Sequence, residues 1–87
     1  MAHVLIYSSA WCGYCARAKK LLSGKGVAYE DVDVDAAPRR RTEMREKAGG
    51  RTSVPQIFID GVHVGGCDDI HALDETGKLD EMLGVGR

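Results

Sequence analysis

Nowhere does this chain of 87 residues run apolar for the roughly 20 residues needed to span a bilayer. Nor does one charge dominate: 12 lysines and arginines stand against 13 acidic residues, a formal net charge of −1. That balance argues against a general nucleic-acid binder. The even cysteine set of a secreted disulfide scaffold is missing, since there are only 3. Met1-Ala2-His3 leads straight into the first apolar run, without a basic region before it or a small-residue cleavage site after it. No leader is therefore expected. Internal repeats and low-complexity segments are lacking too. These absences point to a soluble protein of a reducing compartment, the cytoplasm, folded as one domain over residues 1–87. So short a chain buries only a modest core.

What the chain does have is Cys12-Gly13-Tyr14-Cys15. The apolar run His3 to Tyr7 precedes it and reads as a strand. A stretch with helical spacing, Ala16 to Ser23, follows. A pair of cysteines at a strand-to-helix handover reads as a redox dithiol rather than a structural crosslink. Thiol–disulfide exchange needs a thiolate. At a helix N-terminus, unpaired N–H groups and the dipole favour an anion. Cys12 is the expected nucleophile there. Cys15, inside the first turn and more enclosed, is the expected resolving thiol.

Val4 to Tyr7 is continuously apolar, as suits a strand covered on both faces. In the helix after it, Cys15, Ala18, Leu21 and Leu22 share one face and Gly24 and Gly26 end it. Lys19, Lys20 and Lys25 near that end suit the dipole. Val27 to Val34 mixes apolar and acidic residues, as an edge strand does. Pro38 opens a helix reaching about Ala48, with Met44 and Ala48 as its core candidates. Gln56 to Asp60 is a third strand, Asp60-Gly61 a hairpin turn, and Val62 to Val64 the returning strand. Asp68-Asp69 is expected to cap a helix carrying Ile70 and Leu73. After Gly77, Leu79, Met82 and Leu83 make a last short helix, and the tail from Gly84 to Arg87 is expected to fray. The order β-α-β-α-β-β-α-α gives an α/β fold: two parallel strands, then a hairpin, in a small mixed sheet with helices on its faces.

Other readings compete at each site. Cys12-x2-Cys15 has zinc-ligand spacing, and Cys67-x3-His71 offers a second pair, but the two pairs lie much farther apart than zinc-site loops. His71 on its own reads as a solvent-facing helix residue, and His3 and His63 have no evident partners. Cys67 reads first as a small buried residue, with glutathionylation or a dimer disulfide as the alternatives. Arg39-Arg40-Arg41 reads as a solvated helix face. The Val54-Pro55 bond is expected to be trans on local sequence, since only about 5–6% of X–Pro bonds are cis. In Gly65-Gly66-Cys67-Asp68-Asp69, the glycines allow close backbone approach and the helix start offers N–H groups to a carboxylate. The aspartates can accept from an ammonium, so the segment fits the amino-acid-like end of a ligand, with a plain capped turn as the alternative.

Cys12 to Cys15, Thr52 to Ile59 and Gly65 to Asp69, in this order, resemble the glutaredoxin family of dithiol type. The resemblance covers Val4 to about Leu83. It implies the thioredoxin fold with a four-stranded mixed sheet, and a glutathione-dependent oxidoreductase acting on protein–glutathione mixed disulfides and protein disulfides. It implies a cis bond at Val54-Pro55, against the local expectation. It implies that glutathione is held by Tyr14, Val54, Pro55, Gly66, Cys67 and Asp68, with Arg41 at the glycine carboxylate. Two departures stand out. Gly13 replaces a common proline, and Ser9 replaces a lysine, removing one cation near Cys12. Relatives with glycine at that place are associated with a [2Fe–2S] cluster bridging two subunits, which implies Cys12 and glutathione as ligands and a dimer in place of a monomer. A redoxin drawing on thioredoxin reductase is a third reading, which the Gly65-to-Asp69 segment argues against.

Overall fold

The computed structural model describes residues 2–85. The elements follow in the order β1 (Val4–Ser8), α1 (Gly13–Gly24), β2 (Glu30–Asp33), α2 (Pro38–Lys47), β3 (Gln56–Ile59), β4 (Val62–Gly65), α3 (Cys67–Glu75) and α4 (Lys78–Leu83). The four strands form one sheet in the order β2-β1-β3-β4. β1 pairs parallel to β2, with Leu5 opposite Glu30 and Ser8 opposite Asp33. It pairs antiparallel to β3, with Val4 opposite Ile59 and Tyr7 opposite Gln56. The β3–β4 hairpin turns at Asp60-Gly61, whose φ values of 51° and 80° are those of a type I′ turn. This is the expected element order and the thioredoxin arrangement of strands.

A central strand must satisfy both faces of the sheet. Val4 and Ile6 join Ile57 and Ile59 on one side, where Ala18, Leu22, Ile70, Leu79 and Leu83 come down from α1, α3 and α4. On the other side Tyr7 and Phe58 meet Val32, Val34, Met44 and Ala48. The expected core residues of α2 are therefore both buried. That helix is also fastened by a polar bond invisible to hydropathy: the Tyr7 hydroxyl donates to Glu43 Oε2. Burial, then Glu43, pushes the Tyr7 phenol up to about 12, while the same bond holds the Glu43 carboxyl below its usual range.

Four boundaries differ from expectation. β2 begins at Glu30 rather than Val27, because the Val27 N–H still bonds Leu22 O at the end of α1 (3.2 Å). α1 begins at Gly13, since Cys12 is its cap. Gly66, not an aspartate, caps α3; Asp69 reaches back from the first turn to accept from the Gly66 N–H at 2.8 Å. The tail does not fray at once: the Gly84 and Val85 amides bond Glu81 O and Asp80 O, each at 3.2 Å. Gly86 and Arg87 lie outside the described residues. Two lysines expected to serve the α1 dipole tie elements together instead. Lys19 pairs with Asp31 of β2 at 2.6 Å, and Lys25 spans Asp74 and Asp80 at 2.6 and 2.7 Å.

Met44 is the one α2 side chain buried completely, at 0% exposure. Met44→Ala is expected to lower stability by about 2–5 kcal/mol. Half-buried Leu21→Ala, on α1, should cost clearly less. Urea unfolding of both variants checks this.

Candidate active site

The site starts where β1 stops. After Ser8 the chain turns, and Cys12 takes an extended backbone (φ −107°, ψ 111°) as N-cap of α1. Serine and aspartate are the usual caps because their oxygen accepts from the first-turn amides. Here the sulfur does so: the Cys15 N–H donates to Cys12 Sγ at 3.2 Å. As a thiol, Cys12 in turn donates to Val54 O at 3.7 Å. Cys12 is half-buried and Cys15 buried. Burial first, then the hydrogen bond and charge of Cys12, push the Cys15 thiol up to about 12. The Ser9 backbone and Lys19 work in the opposite direction. Gly13 is the first helical residue and nothing lies within 4 Å of a side chain placed there, so packing does not demand glycine.

Val54-Pro55 is cis. Its loop is clipped to β3 by Gln56, which is 0% exposed and donates through Nε2 to Ser53 O at 3.0 Å. The other end of that amide meets His63 Nε2 at 2.6 Å. His63 thus has a partner, and its ring also packs on Phe58 at 5.0 Å. Burial, then Arg51, lowers the His63 pKa, which favours the neutral ring.

Beyond the loop, β4 hands over to α3 through two closely packed glycines. Gly65 has φ 119°, and a Cβ on it would lie 2.2 Å from Asp69 Oδ2. A Cβ on Gly66 would lie 3.2 Å from Pro55 O. The start of α3 therefore sits against the cis-proline loop. Between them runs a groove of about 190 Å³ lined by Tyr14, Arg51, Ser53, Val54, Pro55, Gly66, Cys67, Asp68 and Asp69. A larger cavity of about 390 Å³ lies away from both cysteines, between His3, Tyr29 and Leu83; its position, not its size, sets it apart from this chemistry.

Six of the expected glutathione residues thus lie together: Tyr14, Val54, Pro55, Gly66, Cys67 and Asp68. Arg41 does not join them. Its guanidinium pairs with Asp35 at 2.8 Å, across the entrance to α2. The cation lining the groove is Arg51, paired with Asp69 at 3.3 Å. Sequence reasoning passed over Arg51, although it directly precedes the Thr52-to-Pro55 segment. The Gly66 amide and Arg51 hold the Asp69 carboxyl below its usual range. Cys67 is buried, as expected, and burial pushes its thiol up. His71 is half-buried rather than solvent-facing, with Nδ1 2.8 Å from Cys67 O and 3.5 Å from its sulfur. Among the described residues no group of three or more His, Cys, Asp or Glu side chains is arranged to hold a metal ion.

An acid whose pKa rises on folding stabilises the fold below its unfolded value and loses that contribution as pH climbs toward the folded one. For Cys15 the window runs from the ordinary 9.0 to about 12. Between pH 8 and pH 10.5, the wild-type urea midpoint is expected to fall further than that of Cys15→Ala.

A family model for glutaredoxin matches residues 4–64. A glutaredoxin of Pseudomonas aeruginosa is 54% identical over 83 residues, spanning 95% of this chain and 98% of the relative. The solution structure of glutaredoxin from Brucella melitensis matches with a TM-score of 0.85 at 52% identity, covering 100% of this chain and 94% of that one. A buckwheat glutaredoxin–glutathione complex matches with a TM-score of 0.87 at 32% identity, covering 95% of this chain and 77% of that one. With the dithiol at the head of α1 and the cis-proline loop beside it, the chain belongs to the glutaredoxin family of disulfide oxidoreductases.

Proposed function

We propose that the chain reduces protein–glutathione mixed disulfides, and also protein disulfides, with Cys12 as nucleophile, Cys15 as resolving thiol and glutathione as reductant. The observation that carries this reading is the inequality of the two sulfurs. One caps a helix, half-exposed, with an amide directed at it from 3.2 Å; the other is buried and holds its proton to about 12. Burial disfavours the charged form, so Cys15 holds its proton in reserve.

The Cys12 thiolate attacks the glutathione sulfur of a mixed disulfide. The substrate S–S bond breaks, and the protein thiolate leaves with its electron pair and takes a proton. Cys12 then carries glutathione. A second glutathione thiolate attacks that glutathione sulfur, giving glutathione disulfide and freeing Cys12. On a protein disulfide, Cys12 becomes joined to the protein; Cys15 loses its proton, attacks the Cys12 sulfur and releases the reduced protein. Two glutathiones then reduce the Cys12–Cys15 disulfide. Once Cys12 is in a disulfide, its charge no longer raises Cys15, but burial still does. That favours the glutathione route over the internal one near neutral pH.

Glutathione fits the groove by chemistry. The buckwheat relative was solved as a glutathione complex. Here the Val54 backbone offers peptide pairing to the cysteinyl residue. The first-turn amides of α3 suit the γ-glutamyl carboxylate, and the Asp68 carboxylate suits its ammonium. We assign the second carboxylate to Arg51 in place of Arg41, because Arg51 lines the groove and Arg41 is engaged with Asp35.

Cys12→Ser is expected to abolish turnover of the mixed disulfide of glutathione and 2-mercaptoethanol. Cys15→Ser should keep that activity and lose reduction of a protein disulfide such as insulin. Full activity of Cys12→Ser would refute the assignment. For the groove, Arg51→Ala is expected to raise the KM for glutathione about tenfold, the scale of one charge-assisted contact. Arg41→Ala should leave it nearly unchanged, and the reverse order would return the carboxylate to Arg41.

A further inference from the structure

Trp11 stands one residue before Cys12 and is 98% exposed. It is the single tryptophan of the chain. Tryptophan is highly buried on average, so an indole left almost wholly in water calls for a reason. Packing gives none, because Trp11 belongs to neither core cluster. The groove gives none either: its lining begins at Tyr14 and does not include Trp11. The site thus has one exposed aromatic on the groove, Tyr14 at 59%, and another outside it.

We propose that Trp11 is the contact for the polypeptide half of a disulfide substrate, its indole covering an aliphatic side chain beside the substrate's reacting cysteine. This rests on the mixed-disulfide reading above. A mixed disulfide has two halves with different needs. The tripeptide half suits a groove of about 190 Å³, whereas a folded chain is too large for it and must lie on the surface outside. Exchange passes through three sulfurs in line. Cys12 bonds to the glutathione sulfur as the substrate S–S bond breaks, and the polypeptide thiolate leaves with the electron pair and is protonated by water. Cys12 is oxidised to the mixed disulfide and the polypeptide sulfur is reduced. Throughout, the leaving cysteine and its neighbours stay within a side chain's reach of the surface around Cys12. The residues that flank Cys12 along the chain, Ser9, Ala10, Trp11 and Gly13, carry no ionisable group, and the charges of Arg51, Asp68 and Asp69 belong to the groove. Hydrocarbon gains from covering an indole, which offers up to about 150–250 Å² to bury. A carboxylate there gives up hydration and finds no cation on this segment. Trp11 is thereby a specificity-determining residue, acting on what glutathione is attached to rather than on glutathione.

Kinetics on matched substrates test this. The probes are a glutathionylated pentapeptide with leucine on both sides of its cysteine, the same peptide with aspartate or lysine there, and the mixed disulfide of glutathione and 2-mercaptoethanol. Trp11→Ala is expected to lower kcat/KM for the leucine peptide at least about tenfold, mainly through KM, as loss of an aromatic anchor does. The 2-mercaptoethanol compound should change by less than about twofold, having no chain to cover. Trp11→Phe should recover most of the loss. In Cys12→Ser, which binds without reacting, Trp11 fluorescence should shift to the blue with the leucine peptide and stay put with the 2-mercaptoethanol compound. Equal loss on every substrate, a preference for the lysine or aspartate peptide, or an unmoved emission at saturating leucine peptide would each overturn the proposal. So would a wild-type dimer in sedimentation that Trp11→Ala dissolves, since a second copy would then be the occupant. If wild type turns over none of the probes, the mixed-disulfide reading falls and this inference with it; turnover that ignores Trp11 removes this inference alone.

Discussion

A sulfur that must be anionic, reachable by substrate and within range of a second sulfur has few places to sit on a folded chain. A helix N-terminus meets all three demands. Its first amides have no partner of their own, they point outward, and the residue three positions on sits about one turn, roughly 5.4 Å, farther in. Here the Cys15 amide spends itself on Cys12 Sγ. That contact fixes the backbone entry into α1, while burial of Cys15 separates the environments of the two thiols. It also requires that β1 deliver the chain to that spot, so the central strand and the first helix are placed for chemistry as much as for packing.

The remaining elements bring backbone, not bulk, to that sulfur. The antiparallel pairing of β3 with β1 sets Val54 under Cys12, and the hairpin then returns the chain so that α3 begins against Pro55. At that approach Gly66 leaves no Cβ to press on Pro55 O, and Gly65 leaves room for the Asp69 side chain. Gln56, buried in the sheet and bonded to Ser53 and His63, keeps the loop from drifting.

Much of this was legible because it is local. A dithiol between a strand and a helix and a Gly-Gly-Cys-Asp-Asp turn each state their backbone requirement within a few residues, whereas the Val54-Pro55 bond is cis against the trans form that local sequence favours, and only the family resemblance implied it. The core faces of α1 and α2 could be read from spacing, down to Met44 and Ala48. What resisted reading depends on distance in the chain. The direction of Arg41 follows from where α2 lies, and that helix is tied down by Tyr7 and Glu43, which are 36 residues apart. A poorly amphipathic helix gives no hint of such an anchor. With Arg41 turned to Asp35, Arg51 inherits the groove, and His63 finds Gln56 only once β3 and β4 are paired. Hydrophobic period reports which face is buried; it is silent on which polar side chain crosses from one element to another.

The pairing of Arg51 with Asp69 has a consequence for how a ligand is received. Asp69 Oδ2 accepts from both the Arg51 guanidinium and the Gly66 amide. In the free protein the groove is thus electrically closed upon itself, a cation already answered by an anion of its own wall. An incoming carboxylate does not meet a bare positive charge. If Arg51 receives the ligand as proposed, that carboxylate takes the place of Asp69 on the guanidinium, and the displaced aspartate still has the head of α3 to hold. Entry then becomes an exchange of partners that leaves the wall standing, with little long-range pull on anions that lack the rest of the peptide.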